Sequence, residues 1–387
     1  MSCKNKTTRV LQLPALALIA STGFAVSGAL AAQTDAPKAS ATPVKVETLA
    51  TGLKNPWAID FLPDGRMLVT ERPGSLRIVS KDGKVSKPVA GLPEVFARGQ
   101  GGLLDVRLAP DFATTGTVYW SYAEPRDGGK AGTSVARGKL ILDDTSARLD
   151  DVKVIYQQYP LVSTGFHFGS RIVFDRTGNL FVTTGDRGNM KDAAQDPSGT
   201  IGKVLRITPD GKPADGNPKK SGWAPEVWSI GHRNIQGAVL DAETGELWTV
   251  EHGARGGDEL NNPQPGLNYG WPVISYGREY SGAKIGIGTK KDGMEQPVYY
   301  WDPSIATSGM VLYTGDLFPE WKGNFLVGGL RGAQIARLVV EDGKVVAEEK
   351  LLAGEGDRFR DVRQGPDGAI YAVTDESNGK LVRVSPK

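Results

Sequence analysis

Short apolar runs and glycine-ended turns alternate along most of this chain. The phrase WAIDFLPDGRMLVTER starts at Trp57, and LLDVRLAPDFATTGTVYWSY and SRIVFDRTGNLFVTTGD repeat its logic. So do IQGAVLDAETGELWTVEHG, GMVLYTGDLFPEWKGNFLVGGL and DVRQGPDGAIYAVTDE. Each phrase predicts a strand, a tight turn and a second strand. The turn glycines are Gly65, Gly116, Gly178, Gly245, Gly323 and Gly368. Further turns at 81–83, 209–211 and 341–343 (KDG, PDG, EDG) predict outer hairpins. No long stretch carries a helical period. Six β-rich units of unequal length predict an all-β fold, a six-bladed β-propeller over residues 44–387. A pair of β-sandwiches explains the six-fold repeat poorly.

The first residues break the pattern. Lys4, Lys6 and Arg9 precede a run of apolar and small residues from Val10 to Ala29, and Ala29-Leu30-Ala31-Ala32 offers a cleavage site. Residues 1–32 read as a secretory signal peptide, cleaved near Ala31/Ala32, which places the mature protein in the periplasm. Residues 33–43 read as a flexible leader. With the signal gone, the 46 basic residues fall to 43 against 44 acidic ones, a net charge of −1. The basic whole-chain balance thus gives no case for nucleic acid as a partner. The only cysteine, Cys3, leaves too, which excludes disulfides and thiol catalysis in the mature chain. No later stretch is apolar enough for stable membrane insertion.

Hairpin register brings polar residues together. Positions equidistant from a turn face each other, so the 175–178 turn sets His167 beside Asp186. The 241–245 turn sets Arg233 and Asn234 opposite Gly253 and His252. The 366–368 turn sets Arg358 and Arg360 near Glu376 and Thr374. All three clusters fall at the open ends of their hairpins, which predicts one polar face around the propeller axis. His167 beside Asp186 reads as a general base and its orienter, since a carboxylate favours the imidazolium and fixes the tautomer. A histidine satisfied at a strand end is the alternative. Arg233, Arg331, Arg358 and Arg360 suit bidentate capture of carboxylates or phosphates, with Gln100 in a matching position. EHGARGGDEL at 251–260 is glycine-rich and acidic, which suits either a hard cation or a solvated tight loop. There is no HExxH, no GxSxG elbow and no GxGxxG opening a helix. Zinc, covalent and Rossmann chemistry are therefore disfavoured.

Taken together, GFHFGSRIVFDRTGNLFVTTGDRG, IGHRNIQG, EHGARGGDELN, GLNYGWP and RDVRQGPDGAIYAVTDES resemble the soluble PQQ-dependent aldose sugar dehydrogenases of the glucose/sorbosone dehydrogenase family. The resemblance covers nearly all of 44–387 and implies a six-bladed propeller. It implies oxidation of an aldose to its lactone, with electrons passing from pyrroloquinoline quinone (PQQ) to an external acceptor. His167 matches the general base and Asp186 the acid that orients it. Arg233 and Asn234 match contacts on the quinone side. Gln100, Tyr280, Gly329-Leu330-Arg331 and Arg358-Phe359-Arg360 resemble the remaining cofactor contacts. Glu259 and Tyr269 resemble a calcium (Ca2+) site, and Gly253 and Ala254 fall where an active-site calcium takes main-chain oxygens. The glucose-dehydrogenase branch carries Gln then Gly-Pro where this chain has His252-Gly253-Ala254. The 276–296 loop differs as well, so the preferred sugar, the acceptor and the choice between monomer and dimer stay open. A calcium-dependent lactone hydrolase and a non-catalytic binding propeller are the alternatives.

Overall fold

The computed structural model describes residue 1 and residues 32–143 and 146–387. Six small antiparallel sheets make up the fold, five of four strands and one of three. Their first strands are Pro56–Phe61, Leu103–Leu108, Ile172–Phe174, Ile235–Leu240, Thr307–Leu312 and Phe359–Gln364. These neighbour one another in ring order, with Pro56–Phe61 meeting Phe359–Gln364 to close it. The expected propeller is therefore the observed one.

Each of the six repeated phrases forms the first hairpin of a blade. All six turn glycines have φ between +65° and +85°. A side chain resists that left-handed region, so glycine fixes each turn and hence the register behind it. The 341–343 turn makes an outer hairpin, pairing Glu341 with Lys344. The last blade is completed from the other end of the chain: Val44–Leu53 pairs with Gly379–Pro386. That closure ties the two ends of the described propeller together.

Buried side chains fill the spaces between neighbouring sheets. One cluster joins Trp57, Leu104 and Trp120 across the first two blades, and another joins Tyr313, Trp321 and Phe359 across the last two. The leader behaves differently from the expectation. Residues 33–42 lie along the outer edges of blades 4 and 5, where Tyr300 N–H donates to Gln33 O (2.8 Å) and Trp321 Nε1 donates to Thr42 Oγ1 (3.1 Å). Edge strands present unpaired backbone groups, and this strap satisfies some of them. The expected signal peptide lies almost wholly outside the described residues. Among the described residues no helix is long and apolar enough to cross a membrane.

Candidate active site

The open hairpin ends converge on the axis. A cavity of about 320 Å³ is lined from every blade, including Trp57, Gln100, Gly169, Gln236, Ala306 and Arg360. Three guanidiniums reach it: Arg72, Arg358 and Arg360. Arg360 donates to Gln236 Oε1 (3.0 Å) and Asp375 Oδ2 (2.7 Å), while its buried Nε finds no acceptor among the described residues. Below the cavity, the Arg171 guanidinium stacks 4.2 Å from the Trp57 ring centre. Arg171 and Arg363 are buried against Asp105 and Asp361, with N···O distances of 3.0–3.2 Å. Charges buried this deeply must be paired, and here four of them plug the axis under the cavity.

His167 stands at the rim of a second cavity, of about 350 Å³, with Phe166, Asn189, Lys191, Arg233, Trp271 and Tyr280. Tyr280 lines both cavities. His167 Nδ1 is 2.6 Å from Asp186 Oδ1. Asp186 also accepts from Gly188 N–H (2.7 Å) and Trp271 Nε1–H (2.8 Å). The carboxylate is thus held from three sides and accepts the imidazole Nδ1–H. That leaves the lone pair on Nε2, which meets no partner among the described residues. His167 itself has φ +50°, and its N–H donates to Gln100 Oε1 (2.9 Å). Strain of this kind persists where surrounding contacts over-determine it.

The balance of charge on His167 differs from the sequence expectation. Burial is the largest influence on its pKa; with Arg233 and Arg187 it outweighs the pull of Asp186 and holds the pKa below the ordinary histidine value. The imidazole is therefore neutral and ready to accept a proton at pH 7. For Asp186, burial pushes upward, but His167 and Arg233 outweigh it and keep the carboxyl ionised. Arg187 is fully buried, 3.5 Å above the Phe168 ring centre, and exchanges hydrogen bonds with Thr164. It clamps the loop that carries His167 to the loop that carries Asp186.

The other expected residues divide. Gln100, Leu330, Arg358 and Arg360 line the axial cavity, and Arg233 and Ala254 line the second. Arg233 Nη1 donates to the carbonyls of His252 and Gly253, and its buried Nε has no acceptor among the described residues. Asn234 is buried and lines neither cavity; its Oδ1 accepts from Gly169 N–H (3.1 Å) and Gln236 Nε2 (3.2 Å). It shapes the floor rather than facing a ligand. Phe359 is core, packed with Tyr313 and Trp321, and only its carbonyl is engaged, by Ser308. Alternate residues of a strand face opposite ways, so Phe359 turns inward where Arg358 and Arg360 turn to the cavity. Gly329 and the exposed Arg331 also stay off the cavity walls. Trp57, Arg72, Gln236, Trp271 and Asp375 were not foreseen, whereas His252 was placed only opposite Arg233 and Asn234 at the polar face and given no role. His252 lines the axial cavity, donates from Nε2 to Thr307 O (2.6 Å), and is held neutral with a pKa of about 3 by burial and by Arg233 and Arg360.

The expected metal region has two faces. Asp258 accepts from Gly253 N–H (2.9 Å), Ser304 Oγ–H (2.6 Å) and Thr307 N–H (3.2 Å), so it organises the loop. The Gly253 carbonyl is already taken by Arg233. Glu259 is different. It lines a void of about 10 Å³ with Glu251, Gly253, Gly257 and Tyr269. Burial, then the nearby Glu251 carboxylate, push its pKa up to about 8. Two carboxylates beside an ion-sized void, short of counter-charge, form a donor set that a hard cation would relieve. Among the described residues no three His, Cys, Asp or Glu side chains gather into a cluster, so main-chain oxygens would have to complete the shell.

The chain belongs to the glucose/sorbosone dehydrogenase family, whose model matches residues 53–383. It is 46% identical over 349 residues to aldose sugar dehydrogenase YliI of Escherichia coli, covering 89% of this chain and 93% of that one. The apo crystal structure of the E. coli soluble aldose sugar dehydrogenase superposes with a TM-score of 0.85 at 47% identity, covering 89% of this chain and all of that one. The PQQ-bound aldose sugar dehydrogenase of Streptomyces coelicolor superposes with a TM-score of 0.73 at 29% identity, covering 90% of this chain and all of that one.

Proposed function

We propose that the protein is an exported quinoprotein that oxidises aldoses at the anomeric carbon to lactones, with PQQ as cofactor and calcium as a bound ion. One observation carries the reading: a neutral, carboxylate-held histidine with a free Nε2 lines one cavity with Arg233, and that cavity shares Tyr280 with an axial cavity walled by three arginines. A planar tricarboxylate is the ligand such guanidiniums suit. The unpaired buried N–H groups of Arg233 and Arg360 support the fit. Arg72, Arg358 and Arg360 would hold the carboxylates, with Gln100 and Trp57 beside them. When bound, the quinone supplies the two-electron acceptor.

The chain's own residues do the rest. His167 Nε2 takes the proton of the C1 hydroxyl, which drives hydride release from C1. Asp186 holds the Nδ1–H and balances the imidazolium as it forms. Arg233 offers its spare Nε–H to an oxygen gaining negative charge. Glu259 and Glu251, with main-chain oxygens near Tyr269, would hold calcium in the small void.

The hydrolase reading is disfavoured by the arginines around the axis. A binding-only propeller leaves the His167–Asp186 geometry without a use. The test is reconstitution of the mature chain with PQQ and calcium, followed by dye reduction with a panel of aldoses. Reduction that requires quinone and sugar together is the expected result. No reduction with any sugar, and no spectral change of the quinone, would overturn the proposal.

A further inference from the structure

The rim of the open face carries a charge pattern of which the proposed sugar oxidation uses only Arg358. Arg98, Arg255, Arg278, Arg331 and Arg358 are all exposed. Each lines a cavity or sits beside a residue that does: Gly99, Ala254, Glu279 and Leu330 are the neighbours of the first four. Only Arg358 has a carboxylate within ion-pair range among the described residues, Asp375 at 3.9 Å. Away from this face, exposed arginines are engaged. Arg148 pairs with Asp143 and Asp150, and Arg176 donates to the carbonyls of Glu243 and Thr244.

Most rim carboxylates are already neutralised. Glu279 pairs with Lys191 (2.9 Å), Asp375 with Arg360 (2.7 Å) and Asp357 with Lys380 (2.8 Å). Glu376, which accepts from Arg358 N–H (3.1 Å), and the exposed Asp302 beside Gly256 have no cationic partner among the described residues, so they offset part of the positive charge. Two large exposed aromatics complete the rim: Phe166 at 55% and Tyr280 at 74% relative exposure. Arginine and aromatic residues together are the composition of a protein-binding surface. The mature chain as a whole is slightly acidic, so this positive patch is local.

We propose that this arginine rim is the docking surface for an acidic, one-electron carrier protein that reoxidises the enzyme. The inference rests on the proposed quinone chemistry. Each aldose oxidised to its lactone releases two electrons and two protons. The electrons leave singly to two carrier molecules in turn, each reduced by one electron, and the protons pass to solvent. A carrier must approach the open face, where Arg98, Arg331 and Arg358 flank the axial cavity and Arg255 and Arg278 the second. Unpaired charges around the mouth steer an oppositely charged partner and leave each encounter weak enough to dissociate between electrons.

The test uses two arms. In the first, isotope-labelled cofactor-free protein is titrated with plastocyanin as an acidic probe and cytochrome c as a basic one, and binding is mapped by NMR. The expected result is salt-sensitive broadening at Arg98, Phe166, Arg278 and Tyr280 with plastocyanin alone, lost in the double variant Arg98→Glu, Arg278→Glu. In the second, the reconstituted enzyme reduces each carrier. The rate constant with plastocyanin should fall about tenfold or more in that variant at low salt, the scale of electrostatic steering, with the sugar KM unchanged. Equal responses to both carriers, indifference to charge reversal, or mapping to another face would overturn the proposal. So would binding to phosphatidylglycerol vesicles through the same arginines without any plastocyanin response. The first arm needs no quinone chemistry. Failure of the dehydrogenase reading would silence only the second.

Discussion

Two histidine–carboxylate pairs in this protein have the same sequence separation and different uses. His167 and Asp186 are 19 residues apart, and so are His232 and Glu251. Both pairs join through Nδ1, at 2.6 Å and 2.9 Å. His232 is fully buried, its Nε2 is bonded to Ser229 Oγ (2.8 Å), and its ring stacks on Tyr269. Glu251 is also engaged, by Arg233 N–H (2.6 Å) and Asn261 Nδ2 (3.2 Å). Every polar atom of that imidazole is satisfied, so it ties the last strand of blade 3 to blade 4. His167 keeps one nitrogen free and faces a cavity. A carboxylate partner alone does not make a catalytic base; the unspent nitrogen and the room beside it do.

The contrast predicts opposite responses. His167→Ala should lower turnover of the reconstituted enzyme by about 10²–10⁴-fold, the usual worth of a general base, with quinone binding and melting temperature nearly unchanged. His232→Ala should instead destabilise the fold by about 1–3 kcal/mol, because Glu251 loses a buried partner. Thermal melts and turnover on both variants check the pair. Comparable losses of activity at equal stability would erase the distinction.

Asp186→Asn comes next in size. It keeps the shape and removes the charge that holds the Nδ1–H tautomer, so turnover should drop by about 10²-fold or more while the cavity keeps its volume. The corresponding Glu251→Gln should act on stability and on calcium binding, and leave the His167 tautomer untouched.

The pH dependence follows from the sign of the His167 shift. Its folded pKa lies below the ordinary value of 6.5, mainly through burial. The base form is therefore populated above that lowered pKa, and the acid limb of turnover should have its midpoint below 6.5. Arg187→Met removes one of the charges opposing the imidazolium, so the acid limb should move up. A limb that stayed put would remove Arg187 from that role.

The smallest expected effect concerns the ion. Calcium should raise the melting temperature of the parent by a few degrees through linkage, and should not do so in Glu259→Gln. Thermal melts of cofactor-free protein with calcium and with chelator check this. Equal shifts in both would place the ion elsewhere.

How far the sequence revealed the site follows from geometry. Turn glycines dictate hairpin register, and register alone was enough to set His167 beside Asp186 and Arg233 opposite Gly253. Strand alternation could have removed Phe359 from the cofactor contacts, because its neighbours on both sides face the cavity. Trp57 and Arg72 share the open end of the first hairpin, where Pro56 pairs with Glu71, so the same register argument could have found them. Gln236 comes from blade 4 and meets them only when the ring closes. Trp271 lies inside the quoted GLNYGWP motif, yet its bond to Asp186 crosses 85 residues. The strap at 33–42 carries no apolar period, since its hold on the edge strands is mainly hydrogen bonding.

The most direct test is a single turnover. Parent and His167→Ala are loaded with PQQ and calcium and mixed with one aldose, and cofactor absorbance is followed without any acceptor. Equal loading, with reduction slowed at least 100-fold in the variant, is what a general base at His167 requires. Equal reduction rates in the two proteins would contradict it.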